Sequence, residues 1–202
     1  MFHTPRQRDE RIPSHEELHE LKKTATTGVT VVAIPQLFPT PPELADRMVA
    51  LADIQPWQQV LEPSAGTGRI IDAIRRNAHG YAIAAVELNC NLAHRLRAVG
   101  CVDDTHQADF LECNGNLGTF DRILMNPPFA NADDIRHITH ALKMLKPGSR
   151  LVALSANGPR QQDKLRPIVE SLGGSWEELP ADTFSSAGTS VRTVLLAVTS
   201  GQ

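Results

Sequence analysis

Three kinds of feature are scarce in this chain of 202 residues, and each scarcity excludes something. Cysteine occurs only at Cys90, Cys101 and Cys113, irregularly spaced and with no Cys-x-x-Cys pair, which excludes a disulfide scaffold and suggests reduced thiols. Long apolar runs are absent, so no membrane span is expected. Met1 to Arg6 lack the apolar core of a secretory signal, and the expectation is a soluble, cytoplasmic protein. An excess of positive charge is also missing. With 20 Lys plus Arg against 23 Asp plus Glu the net charge is −3, so any nucleic-acid contact must rely on a local basic patch rather than a global field. The length suits one domain with a small appendage.

Residues 1–36 read as that appendage. A polar arm runs to about Ile12; Ser14-His15-Glu16-Glu17 has capping-box spacing for a short helix to about Thr24; the β-branched segment Thr27 to Ile34 is extended. Residues 37–202 read as the main domain. Phe38-Pro39-Thr40-Pro41 stiffens the approach to a helix with Thr40 as its expected cap and Pro41 in its first turn.

Val60-Leu61-Glu62-Pro63-Ser64-Ala65-Gly66-Thr67-Gly68 then reads as strand and glycine-rich turn, followed by a helix from about Ile70. Gly66 and Gly68 allow a ligand close to the backbone, and Glu62 puts a carboxylate at the strand's carboxyl end. A dinucleotide fingerprint would need a third glycine where Ile71 stands. An acid before the loop repels phosphate but accepts from an ammonium or a hydroxyl. The apolar strand Tyr81 to Glu87 ends in a second acid, about twenty residues from the glycines, where nucleotide-binding α/β folds hold ribose hydroxyls. Glu87 suits that role, or it complements the dipole of a helix beginning at Leu88.

A third strand near Val102 to Ala108 leads to Asp109-Phe110, and a fourth, Phe120 to Met125, stops at Asn126-Pro127-Pro128-Phe129. Two prolines cannot extend a sheet ladder, which leaves Asn126 at the strand's end. Acceptors there, with Phe129 as an apolar plate, suit a planar ring bearing an amine. Downstream come an amphipathic helix from Ala132 to Leu145 stopped by Lys146-Pro147-Gly148, a strand Arg150 to Ser155, a helix from Gly158 through Leu172, and two late strands joined by a short turn. His137 and His140 lie one helical turn apart without further ligands nearby, so no metal is expected. Arg160, Lys164 and Arg166 form either a phosphate patch or a solvated helix face.

The order Glu-Pro-Ser-Ala-Gly-Thr-Gly, then Asn-Pro-Pro-Phe, resembles the class I S-adenosylmethionine-dependent amino-methyltransferases, in particular the DNA adenine branch. That resemblance implies an α/β, doubly wound, mostly parallel seven-stranded sheet of Rossmann-like type with an antiparallel C-terminal hairpin. It implies S-adenosyl-L-methionine as cofactor, held by Phe38, Thr40, Pro41, Glu62, Pro63, Ser64, Ala65, Gly66, Gly68, Glu87, Asp109, Phe110 and Asn126. Asp109 would accept from the adenine amine with Phe110 packed on the ring. Asn126, Pro127, Pro128 and Phe129 would be catalytic, with Asn126 and the Pro127 carbonyl accepting the amine's hydrogens and Phe129 stacking on the target base. DNA is the first expected partner, and RNA guanine or a protein glutamine the second. A non-catalytic binding or anti-restriction module on the same fold stays open. The DNA enzymes usually carry a separate target-recognition region, for which this chain has no room, so specificity would be slight or come from a homodimer or a recognition partner.

Overall fold

A computed structural model describes residues 38–100, 102–185 and 188–201. The expected arm, the helix at residues 14–24 and the extended segment at 27–34 lie outside them. Helix α1 (Pro42–Ala52) leads into strand β1 (Gln59–Glu62), then α2 (Arg69–Asn77), β2 (Ala82–Glu87), α3 (Cys90–Val99) and β3 (Asp104–Gln107). A single 3-10 turn (Phe110–Glu112) precedes β4 (Phe120–Met125), α4 (Asp133–Leu142) and β5 (Leu145–Ala156). The chain then runs through α5 (Pro159–Lys164), α6 (Arg166–Ser171), β6 (Ser175–Glu178) and β7 (Thr193–Thr199).

One seven-stranded sheet has the order β3-β2-β1-β4-β5-β7-β6. The first five strands are parallel, and β7 runs antiparallel to both β5 and β6. The expected doubly wound sheet with an antiparallel C-terminal hairpin is therefore observed. The strand order turns around between β1 and β4, so the crevice outside their carboxyl ends lies at the switch point where such sheets take ligands.

Both faces of the sheet are covered, which explains why its central strands are apolar without alternation. Ile123, Leu124 and Met125 are all fully buried, as are Leu151 to Leu154. Leu124, Val152 and Leu154 face the layer that includes Met48, Val49, Ile70 and Ile74. Ile123, Met125, Leu151 and Ala153 face the opposite layer with Ile138, Leu165 and Val169.

Several local expectations need correction. Thr40 does not cap α1: the cap position falls on Pro41, no side-chain cap bond is made, and the first helical residue is Pro42, which has no N–H to cap. The Thr40 hydroxyl is used elsewhere, as described below. Lys146-Pro147-Gly148 lies within β5 rather than ending a helix. Pairing jumps from Phe120 opposite Leu145 to Arg122 opposite Arg150, so the strand bulges where Pro147 offers no donor and Gly148 takes a φ of 72°. The expected helix through Leu172 is two short helices, because Pro167 cannot donate back to the preceding turn. The two late strands are joined by residues 179–192 rather than a short turn. Helix α3 begins at Cys90, where Asn89 Oδ1 accepts from the N–H groups of Asn91 and Leu92, so Leu88 lies outside it.

Two arginines on adjacent strands hold α1 in place. Arg122 Nε donates to the Ala52 carbonyl at 2.6 Å and Arg150 to that of Leu51 at 2.8 Å, supplying partners for carbonyls the helix end leaves open. Burial, and then the neighbouring Arg150 charge, lower the pKa of Arg122.

Candidate active site

The glycine turn is shaped by its backbone. Gly66 and Gly68 have φ of 53° and 83°, a region that disfavours side chains, and a Cβ at Gly68 would meet Leu96 Cδ2 at 3.0 Å. Ala65 N–H donates to the Val86 carbonyl at 3.1 Å and Gly66 N–H to Glu87 Oε2 at 2.7 Å, which ties the turn to the end of β2. The other Glu87 oxygen accepts from Asn89 N–H at 2.7 Å. Glu87 thus braces the turn while keeping lone pairs free at the sheet's carboxyl edge.

Glu62, at the end of β1, is only 2% exposed, and its Oε2 has no hydrogen-bond partner. Burial pushes its carboxyl pKa well above the ordinary value; a hydrogen bond from Ile71 N–H opposes this, and the charges of Glu87 and Asp72 add to it. The buried Ser64 Oγ is also without a partner. Orphaned polar atoms of this kind are unusual in a folded core and call for an explanation.

Asn126 sits just past β4. Its Nδ2 donates to the Phe38 carbonyl at 2.8 Å and to Thr40 Oγ1 at 3.1 Å. A carbonyl can only accept, so the amide nitrogen must face Phe38, and Oδ1 is left as an acceptor on the other side. Phe38, Thr40, Glu62, Ser64, Asn126 and Pro127 line one cleft. Three segments far apart in sequence therefore meet there: the approach to α1, the glycine turn and the Asn-Pro-Pro-Phe loop. Phe129 is half-buried, nearly parallel to Phe38 at 6.4 Å between centroids and edge-on to Phe184 at 6.4 Å. Pro41 and Pro128 are partly buried beside these groups, and Pro63 is buried in the turn.

At the far end of the same edge, Asp109 Oδ1 accepts from Leu111 N–H at 2.9 Å and caps the 3-10 turn. Phe110 is turned inward: it is 3% exposed and packs against His137 and His140 at 5.7 and 4.9 Å. As placed, its ring offers no open face to a nucleobase. Leu88, which the sequence reading missed, is 68% exposed directly after Glu87 and presents an apolar surface at that edge. Its signal was an apolar residue following a strand-terminal acid, masked by the expectation that the helix began there. Phe184, in the stretch read only as a short turn between the late strands, was likewise missed, though it is buried against Phe129.

His137 and His140 flank Phe110, and His140 Nε2 lies 3.2 Å from the Cys113 carbonyl oxygen. Burial lowers the His137 pKa. Of the three basic residues near α5, Arg160 and Lys164 are exposed, while Arg166 bonds Glu170 at 2.7 Å and Gln162 at 3.0 Å. The buried Asp134 fastens the rim beyond Phe129. Its carboxylate accepts from Ser155 Oγ at 2.8 Å, from Ala156 N–H at 3.0 Å and from Gln161 Nε2 at 3.0 Å, joining the start of α4 to the end of β5 and to α5.

A seven-stranded sheet in this order, with an acid and glycine turn after β1 and its crevice at the β1/β4 switch point, is the class I S-adenosylmethionine-dependent methyltransferase fold. Solved structures agree. A Listeria monocytogenes protein provisionally assigned to the class I S-adenosylmethionine-dependent methyltransferases superimposes with a TM-score of 0.64 at 15% identity, covering 93% of this chain and 68% of that one. A modification subunit provisionally assigned to a type I restriction enzyme of Vibrio vulnificus gives 0.62 at 21% identity, covering 94% of this chain and 50% of that one. An RNA methyltransferase of Salinibacter ruber, solved with S-adenosyl-L-homocysteine, gives 0.54 at 18% identity, covering 81% and 94%. This chain thus spans half the length of the Vibrio subunit. No family model matches the sequence, and no curated protein matches it.

Proposed function

We propose that this chain is an S-adenosyl-L-methionine-dependent methyltransferase acting on an exocyclic amine, with the 6-amino group of adenine in DNA as first substrate. The observation that carries the reading is the cleft's set of unused polar atoms. Glu62 Oε2 is a buried acceptor without a donor, Ser64 Oγ is a buried hydroxyl without a partner, and the Thr40 hydroxyl accepts from Asn126 while its own proton has no acceptor among the described residues. An amino-acid zwitterion would satisfy all three, its ammonium held by Glu62 and its carboxylate by Thr40 and Ser64. The methionine part of the cofactor is such a group. Docking the ammonium would favour the ionised form of Glu62, against the burial that raises its pKa.

The free lone pairs of Glu87 suit ribose hydroxyls, Leu88 offers a surface for the adenine, and Asp109 stands at the adenine end. Phe110 is left out of the proposed site because its ring is enclosed. When bound, the cofactor supplies an electrophilic sulfonium methyl. Asn126 Oδ1 and the Pro127 carbonyl accept the hydrogens of the incoming amine and aim its lone pair at the reacting carbon. Phe129, backed by Phe38 and Phe184, provides the apolar plate for the target ring. A base in a duplex would have to leave its stack, at a cost of about a few kcal/mol.

The test is to incubate the protein with methyl-labelled cofactor and, separately, duplex DNA, single-stranded DNA, RNA and release factor. Label recovered as 6-methyladenine in DNA is the expected result. Label in RNA guanine or in a protein glutamine would move the substrate while keeping the chemistry. Cofactor binding without transfer to any pool would point to a non-catalytic module instead.

A further inference from the structure

We propose that Thr40 is a positioning residue through which occupancy of the donor cleft fixes the amide of Asn126; the inference rests on the donor reading given above. Thr40 is 4% exposed and stands between the two halves of the site. On one side its Oγ1 accepts from Asn126 Nδ2 at 3.1 Å, and on the other it lines the cleft with Glu62 and Ser64. A hydroxyl that gives its proton to an anion becomes a better acceptor, because hydrogen bonds in a chain polarise one another. A carboxylate in the cleft therefore tightens the Thr40–Asn126 bond. The second bond, to the Phe38 carbonyl at 2.8 Å, fixes which end of the amide faces inward but does not touch the ligand's charge. Thr40 joins the two events, since the same hydroxyl faces the cleft and accepts from the amide. Asn126 Oδ1 would be held most firmly toward the incoming amine when the methyl donor is already in place.

The coupling is visible without turnover. In protein labelled with 15N-asparagine, with the Asn126 resonance assigned by its loss in Asn126→Ala, hydrogen exchange of the side-chain amide reports its bonding. S-adenosyl-L-homocysteine serves as the probe. Thr40→Val keeps the shape but removes the acceptor, and should speed exchange about tenfold, the equivalent of one net hydrogen bond. Thr40→Ser should stay within about twofold of the parent. The probe should slow exchange in the parent and in Thr40→Ser but not in Thr40→Val. Parent-like exchange in Thr40→Val, or equal slowing by the probe in all three proteins, overturns the proposal. If the probe fails to bind the parent, the donor reading itself falls and takes the coupling with it, a result distinct from binding without slowing. A thermal melt checks each variant's fold, and Thr40→Ala replaces Thr40→Val if the latter is unfolded.

Discussion

The two halves of the cleft are built on different principles. The glycine turn is local: residues 62–68 form one strand-turn-helix unit whose backbone is tied to the adjacent strand by Val86 and Glu87. The amine clamp is assembled at long range, since Asn126 is oriented by Phe38 and Thr40, more than eighty positions earlier in the chain. A local cradle leaves its buried polar atoms free for a ligand. A long-range clamp uses its polar atoms on itself and leaves a single oriented acceptor.

If that contrast is right, damage to the clamp should stop chemistry and spare binding. Asn126→Ala should lower the transfer rate by about a hundredfold to a thousandfold, the range for removing one well-placed polar group, with the dissociation constant for S-adenosyl-L-homocysteine changing less than about threefold by calorimetry. Parent-like turnover would remove Asn126 from the mechanism.

Damage to the cradle should do the reverse. Glu62→Gln should weaken S-adenosyl-L-homocysteine binding about tenfold to a hundredfold, as expected for loss of a charge-assisted bond. It should also change the pH response. Because burial raises the folded-state pKa of Glu62, the unfolded chain ionises first as pH rises above about 4.5. The unliganded protein therefore loses stability from there up to the raised pKa, and a glutamine should flatten that fall in a series of thermal melts. Ligand affinity runs oppositely in the parent, weakening as pH drops through the same raised pKa, because a neutral carboxyl pairs poorly with an ammonium.

The smallest effect is expected at the edge shared by neither half. Leu88→Ser should weaken binding of the same probe only a few-fold, in line with partial burial of one apolar side chain, and leave the melting temperature nearly unchanged. A large loss of stability would mean that Leu88 belongs to the core.

The same contrast decides what the sequence could disclose. Apolar runs such as Ile123 to Met125, punctuated by glycine and proline, announce buried parallel strands, and Glu62 to Gly68 carries its geometry within seven consecutive positions. The sheet and its ligand edge were therefore legible. Long-range hydrogen bonds leave no periodic mark, so Thr40 read as a helix cap and the grip of Arg122 and Arg150 on α1 was invisible. The orientation of Phe110 was hidden for a related reason: its position at the sheet edge is local, but its ring packs on His137 and His140 from another helix.

That grip has a mechanical corollary. Helix α1 is held on both sides: the residues leading into it, Phe38 and Thr40, are bonded by Asn126 just past β4, and its finish is bonded by Arg122 of β4. Something bolted at both ends makes a poor flap. Exchange of whatever occupies the cleft then cannot rely on swinging the helix, which stays put as a fixed wall.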